Sequence, residues 1–380
     1  MSSEHRGGMT AGRVGLVAAI VVAAVAFGDT TARGAAGGFT EARAPYVFRF
    51  PRDHFAHDDY RTEWWYFTGH LRSNDGERFG FEVTFFRFGL RPRPYRVRPG
   101  RSAWYASQLY AAHLAITDVA RNRFVFREKQ ARDALGQGYA SQRRFLVRVG
   151  SWSLEGTDAA DPAMRLVASA GGEGVMLRAV ASAPPVVNGR GGISRKGPCA
   201  SCASHYYSYR RLRLDGTIVL DGRRIAVRGI GWMDHEYGSD ELPPDEVGWD
   251  WFAIQLRDGR SIMYYRLRDR SGRTVPQSSG TLVDARGHSR VLSVDDVRVR
   301  ALGSWRSPHD GAVYPSGWSV TVHGLRRTLR IVPLVRDQEL YGPALPAYWE
   351  GDCGVYDAAN GVRLGDAYVE LTGYAAPLRF

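Results

Sequence analysis

Apolar positions along this chain recur every second residue. Short segments rich in aromatic and β-branched side chains alternate with polar stretches. That is the period of a half-buried strand, whose successive side chains point to opposite faces. The pattern predicts strands at 46–50, 63–71, 79–88, 108–117, 145–149, 165–170, 175–181, 206–212, 217–220 and 223–230. A second set is predicted at 249–256, 261–267, 280–284, 297–301, 318–322, 329–333, 348–356 and 367–374. Asp215-Gly216, Asp221-Gly222, Asp258-Gly259 and Asn360-Gly361 read as turns between them, because Gly supplies positive φ at little cost. Helical periodicity is confined to 120–135, which reads as partly helical. Many short antiparallel strands at regular spacing predict an all-β chain built as a sandwich or barrel, and barrels remove aggregation-prone edges.

Two hairpins in this pattern look like copies. Glu63-Trp64-Trp65-Tyr66-Phe67 opens one and Gly248-Trp249-Asp250-Trp251-Phe252 the other. Laid together without gaps, Trp64 matches Trp249, Phe67 matches Phe252, Leu71 matches Leu256 and Arg72 matches Arg257. Each runs into an Asp-Gly turn and a second aromatic strand. The shared register predicts duplicated β domains. At 380 residues the chain is long for one core and ample for two. The acidic, Pro-containing stretch 238–248 is the expected linker, giving domains at 45–237 and 247–380.

Composition narrows the class. A hydrophobic content of 44% belongs to a globular chain. The net charge is +12, and only Lys129 and Lys196 are lysines, so 49 of the 51 basic residues are arginine. They are scattered among acids rather than gathered in a stripe, which argues against nucleic acid as a partner. Attraction to an anionic membrane surface stays open, as a peripheral association. At the N-terminus, Arg6 and Arg13 precede the apolar run 14–27, and small residues follow. Residues 1–38 therefore read as a signal peptide or an N-terminal anchor, and the body as exported, periplasmic or extracellular. Cys199 and Cys202 lie in a Gly/Pro/Ser-rich loop at 184–204 and read as a disulfide, leaving Cys353 unpaired and buried.

Three further segments carry a resemblance. They are Asp53-His54-Phe55-Ala56-His57 leading to Glu63-Trp64-Trp65-Tyr66; Ser204-His205-Tyr206-Tyr207 leading to Trp232-Met233-Asp234-His235-Glu236-Tyr237; and Tyr348-Trp349-Glu350-Gly351 leading to Ala367-Tyr368-Val369-Glu370. With Ala112-His113, these resemble the AttH-like, carotenoid 1,2-hydratase-like family of lipocalin-like proteins, some of whose members are called predicted secreted hydrolases. The resemblance implies two lipocalin-like antiparallel β-barrels packed side by side, with an apolar cavity and the motif residues near their contact. It also implies a cofactor-independent enzyme for an apolar unsaturated lipid or isoprenoid, acting by hydration of a C=C bond. A lipid-binding carrier and a hydrolase of an apolar ester are the alternatives.

Hydration needs an acid kept neutral near pH 7 and aromatic faces to stabilise a cation. Asp234, His235, Glu236 and Tyr237 offer such groups. On an extended strand, Asp234 and Glu236 face one way and His235 and Tyr237 the other. The resemblance points His235 and Tyr237 at the ligand, with Asp234 and Glu236 bonded at the domain contact. Tyr264 and Asp250 complete the candidate acids. The candidate ligand contacts are Glu63, Trp64, Trp65, Tyr66, His113, Tyr207, Trp232, Trp249 and Trp251. Each has a plainer reading: Glu63 as a salt bridge to an arginine such as Arg61, His113 as a core histidine, and the tryptophans as core. No metal is expected. His54 and His57 sit in a turn, and His235-Glu236 lacks a second histidine four residues on, where Ser239 stands.

Overall fold

The computed structural model describes residues 38–92, 105–239, 242–343 and 346–378. The targeting segment expected at 1–38 lies almost wholly outside them. No helix among the described residues is long and apolar enough to cross a membrane.

The chain is all-β, in two nearly closed antiparallel barrels. The first is a thirteen-stranded sheet. Its path runs from Arg123–Arg132 through Gln108–Asp118, Arg78–Gly89 and Thr62–Ser73 to Arg223–Gly238. It continues through Ala203–Leu220, Glu173–Ala181, Ala163–Ala170, Trp152–Gly156 and Leu146–Val149 to Gly138–Ala140. The second sheet runs from Ser289–Leu292 through Ser279–Val283, Ser261–Asp269 and Glu246–Leu256 to Arg363–Leu371. Tyr348–Asp357, Thr328–Pro333, Trp318–Val322 and Val297–Ala301 complete it. In both barrels the first hairpin strand pairs on one side with its turn partner and on the other with the barrel's last long strand. The matching Trp64 and Trp249 hairpins thus occupy the same topological place.

Alternation builds three layers of packing. Inward residues such as Trp65, Phe67, Leu71 and Met233 fill the first barrel. Phe252, Ile254, Leu256 and Val369 fill the second. The opposite faces of the same strands contribute a third cluster between the barrels, with Tyr66, Tyr206, Trp232, Trp251 and Tyr368 buried in it.

Several expected elements differ. Residues 46–50 are extended but join no sheet; Phe48 and Phe50 pack against the first core instead. The stretch 120–135 is not helical beyond a short turn, Ala134–Gly136. It contains strand Arg123–Arg132, whose Val125 faces the first core while Phe124 and Phe126 pack toward Leu340 and Tyr348. Its charged residues cover an exposed edge and hide the two-residue period. Asp215-Gly216 is not a turn, because Ala203–Leu220 runs straight through it. Cys199 and Cys202 are joined in a disulfide, and Cys353 is free and buried.

Candidate functional site

A pocket opens between the barrels, lined by the outward faces of both tryptophan hairpins and of their last-strand partners. Its cavity volume is about 90 Å³. From the first barrel come Trp64, Tyr66, Phe86, Tyr206, Asp234 and Glu236; from the second, Trp249, Trp251, Tyr265, Tyr348, Glu350 and Glu370. The arrangement is duplicated. Tyr66 faces Asp234 across one strand pair, and Trp251 faces Glu370 across the equivalent pair.

The acids of the pocket differ in how they are held. Asp234 is saturated with donors: Trp232 Nε1 at 2.6 Å and Ser208 Oγ at 2.5 Å on one oxygen, Tyr206 hydroxyl at 2.5 Å on the other. Burial still pushes it up to about 7, against those three bonds and with help from Glu236. Among the described residues, Glu370 receives only Trp249 Nε1, at 3.2 Å. It is half-buried by area because it opens on the pocket, yet enclosure raises it to about 7, with Asp234 and Glu236 adding to the shift. Glu350 accepts from the Tyr66 hydroxyl and is pushed well above its usual value by burial, then by Glu82 and Glu370. Glu82, behind them, rises to about 8 by burial. Glu236 is different. It accepts from Ser204 Oγ and pairs with Lys196 Nζ at 2.8 Å, and that ammonium lies 3.9 Å from the Tyr265 ring centre. Lys196 reaches the pocket on the disulfide loop, which pairs back along Ala203–Leu220.

The two-residue period was anticipated, and so was the bonding of Asp234 and Glu236 at the barrel contact; that the pocket opens on their side was not. Asp234 and Glu236 face the pocket, and His235 and Tyr237 face the first barrel's interior. Trp65, Glu63 and Tyr207 are interior too, joined to His235 in one network. His235 Nε2 and His57 Nδ1 lie 2.9 and 2.8 Å from Glu63 Oε1. Arg87 Nε donates to Glu63 Oε2 at 2.8 Å. Burial opposes the charge on Glu63, but Arg87 and the two imidazoles hold it well below the usual carboxylate range. Tyr207 hydroxyl lies between His54 Nδ1 at 2.6 Å and His235 Nδ1 at 3.1 Å. Trp65 donates to the His54 carbonyl and stacks on His235. Thus the salt-bridge reading of Glu63 describes its surroundings, with Arg87 in place of Arg61. His57, Glu63 and His235 place ligand-type atoms within 4.8 Å of one another. They already satisfy each other, and the Arg87 guanidinium would repel a bound cation.

Of the remaining candidates, Trp64, Tyr66, Trp249 and Trp251 line the pocket, and Trp232 stands behind Asp234. His113 does not line it but bonds Tyr348 hydroxyl at 2.7 Å across the barrel contact. Tyr264 lies in the second core, and Asp250 inside that barrel is bound by Arg266, Arg268 and Tyr374. Neither can reach a ligand in the pocket; Tyr265, one residue on, does. The sequence reading did not select Glu350, Glu370, Tyr206, Tyr265 or Lys196. Glu370 had a signal: continuing the two hairpins into their last-strand partners gives it the place equivalent to that of Asp234.

These features define a two-barrel lipocalin-like protein with an aromatic, carboxyl-lined pocket at the barrel contact. The chain belongs to the AttH-like family, whose sequence model matches residues 41–374. A crystal structure described as an AttH of Nitrosomonas europaea is 33% identical, with a TM-score of 0.78 over 88% of this chain and 99% of that one. Kievitone hydratase from Nectria haematococca shares the fold at 14% identity and a TM-score of 0.64, over 89% of this chain and 96% of its own. CghA, solved with Sch210972, shares it at 10% identity and 0.51, over 90% and 97%. No curated protein matches the chain in sequence.

Proposed function

We propose that this chain protonates a C=C bond of an apolar, unsaturated lipid or isoprenoid held in the pocket between the barrels, and that water then captures the cation. The observation that carries this reading is a cluster of enclosed carboxyls between aromatic rings, with Asp234 and Glu370 raised to about 7 by burial. Glu370 is the proton donor, because a single hydrogen bond leaves its second oxygen free to face the ligand. Its proton forms a C–H bond at one alkene carbon as the π bond breaks, and the neighbouring carbon becomes cationic. The faces of Trp64, Tyr66, Trp249 and Trp251 stabilise that charge, by about 0.5–2 kcal/mol each. Water adds to the cation, and its surplus proton passes back to the Glu370 carboxylate, giving an alcohol and the starting enzyme. The small accessible core suits the reacting end of the molecule, with the apolar remainder toward the rim at Leu242 and Leu378. Two distant fold neighbours, a hydratase and a protein solved with a small molecule, are compatible with such chemistry in this architecture. An exported location suits the N-terminal apolar run and belongs to the same proposal.

The test is incubation of the purified protein with a lipid extract of its own cells in oxygen-18 water. Glu370→Gln serves as the control, and products are read by mass spectrometry. A product heavier by one labelled water, absent with Glu370→Gln, is expected. Label in a released acid would replace this reading with hydrolysis. A lipid retained unchanged by both proteins would replace it with a carrier role.

A further inference from the structure

The outer wall of the first barrel, away from the pocket, carries a row of arginines set by strand register. Arg165 stands opposite Arg178, Arg178 opposite Asp215, Asp215 opposite Arg228, and Arg228 opposite Arg72. All five are exposed. At the usual strand spacing the row spans about 20 Å. Arg213 and Arg224 flank it on the same face, two and four residues from its positions along their strands.

This row works against folding. Like charges directly opposite each other destabilise a sheet, and two such pairs, Arg165–Arg178 and Arg228–Arg72, stand on either side of Asp215 here. Asp215 approaches Arg178 only to 3.8 Å, and exposed Glu155, which stands opposite Arg165 at the end of the row, makes no ion pair with it. Among the described residues, Arg165, Arg213, Arg224 and Arg228 have no carboxylate at ion-pair distance. Some arginines elsewhere on this barrel are paired, as Arg123 is with Asp221 and Arg127 with Glu173, and others such as Arg148 and Arg223 are not. What sets the row apart is that strand register lines its arginines up on one face.

Between the arginines the face carries aliphatic residues. Met176 is 40% exposed, and Val167, Val180, Val219 and Ile230 are partly exposed. No aromatic ring stands among these positions to stack on a base. Guanidinium heads over aliphatic stems match an interface of phosphates above acyl chains, and an apolar substrate would partition into such a phase. We propose that this wall docks the protein on an anionic phospholipid surface.

The test is sedimentation of the full chain with phosphatidylcholine vesicles, with and without phosphatidylserine, at low and raised salt. Preferential binding to the anionic vesicles, lost at raised salt, is expected. Each arginine neutralised should weaken binding by about fivefold, so a variant carrying Arg72→Gln, Arg165→Gln, Arg178→Gln and Arg228→Gln should fall by roughly several hundredfold. Asp215→Asn should bind more tightly, a gain that misfolding cannot mimic. Equal binding to both vesicles, unchanged in the quadruple variant, would overturn the proposal and assign attachment to the N-terminal apolar run. Arginine-dependent retention of duplex DNA without vesicle binding would overturn it in favour of nucleic acid.

Discussion

Asp234 and Glu370 occupy equivalent places in the two barrels, yet their hydrogen bonds assign them different work. Three donors make Asp234 a fixed acceptor, while Glu370 keeps an oxygen free for the pocket. Glu370→Gln should lower turnover by on the order of 10²–10⁴-fold without lowering the melting temperature, as expected for a lost general acid. Wild-type turnover should decline as pH rises through about 7, where Glu370 loses its proton, and a pH–rate profile checks both. His235→Ala should behave oppositely. It strips a partner from buried Glu63 and a stacked ring from Trp65, at a cost of about 1–3 kcal/mol in urea unfolding, while leaving ligand binding in the pocket intact. Turnover lost in His235→Ala at full stability would return the chemistry to the barrel interior. The sequence showed that Asp234 and Glu236 oppose His235 and Tyr237, because alternation is local. Which pair faces the pocket depended on a second barrel covering the outer face, and that lay beyond local alternation.

Strands were legible where one face is apolar, and turns where the chain has nothing to pair with. The dipeptide Asp-Gly shows the boundary. Asp221-Gly222 turns with positive φ at both residues, whereas Asp215-Gly216 stays within a strand paired on both sides. Ladder pairing with Leu177 and Val227 overrides the local preference of Gly216. The two glycines should therefore respond differently to a methyl group. At Gly222 no atom lies within 4 Å of an added Cβ, so Gly222→Ala carries only the positive-φ penalty, about 1–2 kcal/mol. At Gly216 the Cβ would meet the Met176 carbonyl oxygen at 2.1 Å. Backbone must move, and Gly216→Ala should cost more than Gly222→Ala, by about 1–3 kcal/mol in urea unfolding. Equal costs would mean that the long strand bends at Asp215 after all. Arg123–Arg132 was missed for the opposite reason: charged side chains covering an edge left no alternation to read.

The two barrels are joined by polar contacts that span nearly the whole sequence. Asp352 of the second barrel receives Arg78 at 2.8 Å and lies 2.7 Å from His70, both from the first. Gly80 lies against Asp352, and a Cβ added to that glycine would stand 2.6 Å from the Asp352 side chain, so Gly80→Val should wedge the contact and lower the melting temperature. The family resemblance supplied the two-barrel plan; no spacing in the chain could show which outer faces would meet. What that meeting does to the carboxyls sets the stability of the whole molecule. Asp234, Glu370 and Glu82 are raised to between about 7 and 8 by burial, and Glu350 is raised well above its usual value. In the unfolded chain they would ionise near pH 4. Between those limits the folded state holds more protons than the unfolded one, so stability falls as pH rises, by up to about 1.4 kcal/mol per pH unit for each group. Glu63 and Asp366 act in the other direction. Burial opposes their charges, but Arg87 and its neighbours lower Glu63, and His70 and Arg78 lower Asp366 to about 2. Their contribution is present above pH 4 and lost only in stronger acid. The melting temperature should therefore peak at mildly acidic pH and drop toward pH 8, and Asp234→Asn should flatten part of that slope because the amide cannot ionise. A melting temperature that holds steady or rises from pH 5 to pH 8 would mean that the pocket carboxyls are already charged in the folded protein. That result would remove the proton store on which the proposed chemistry depends.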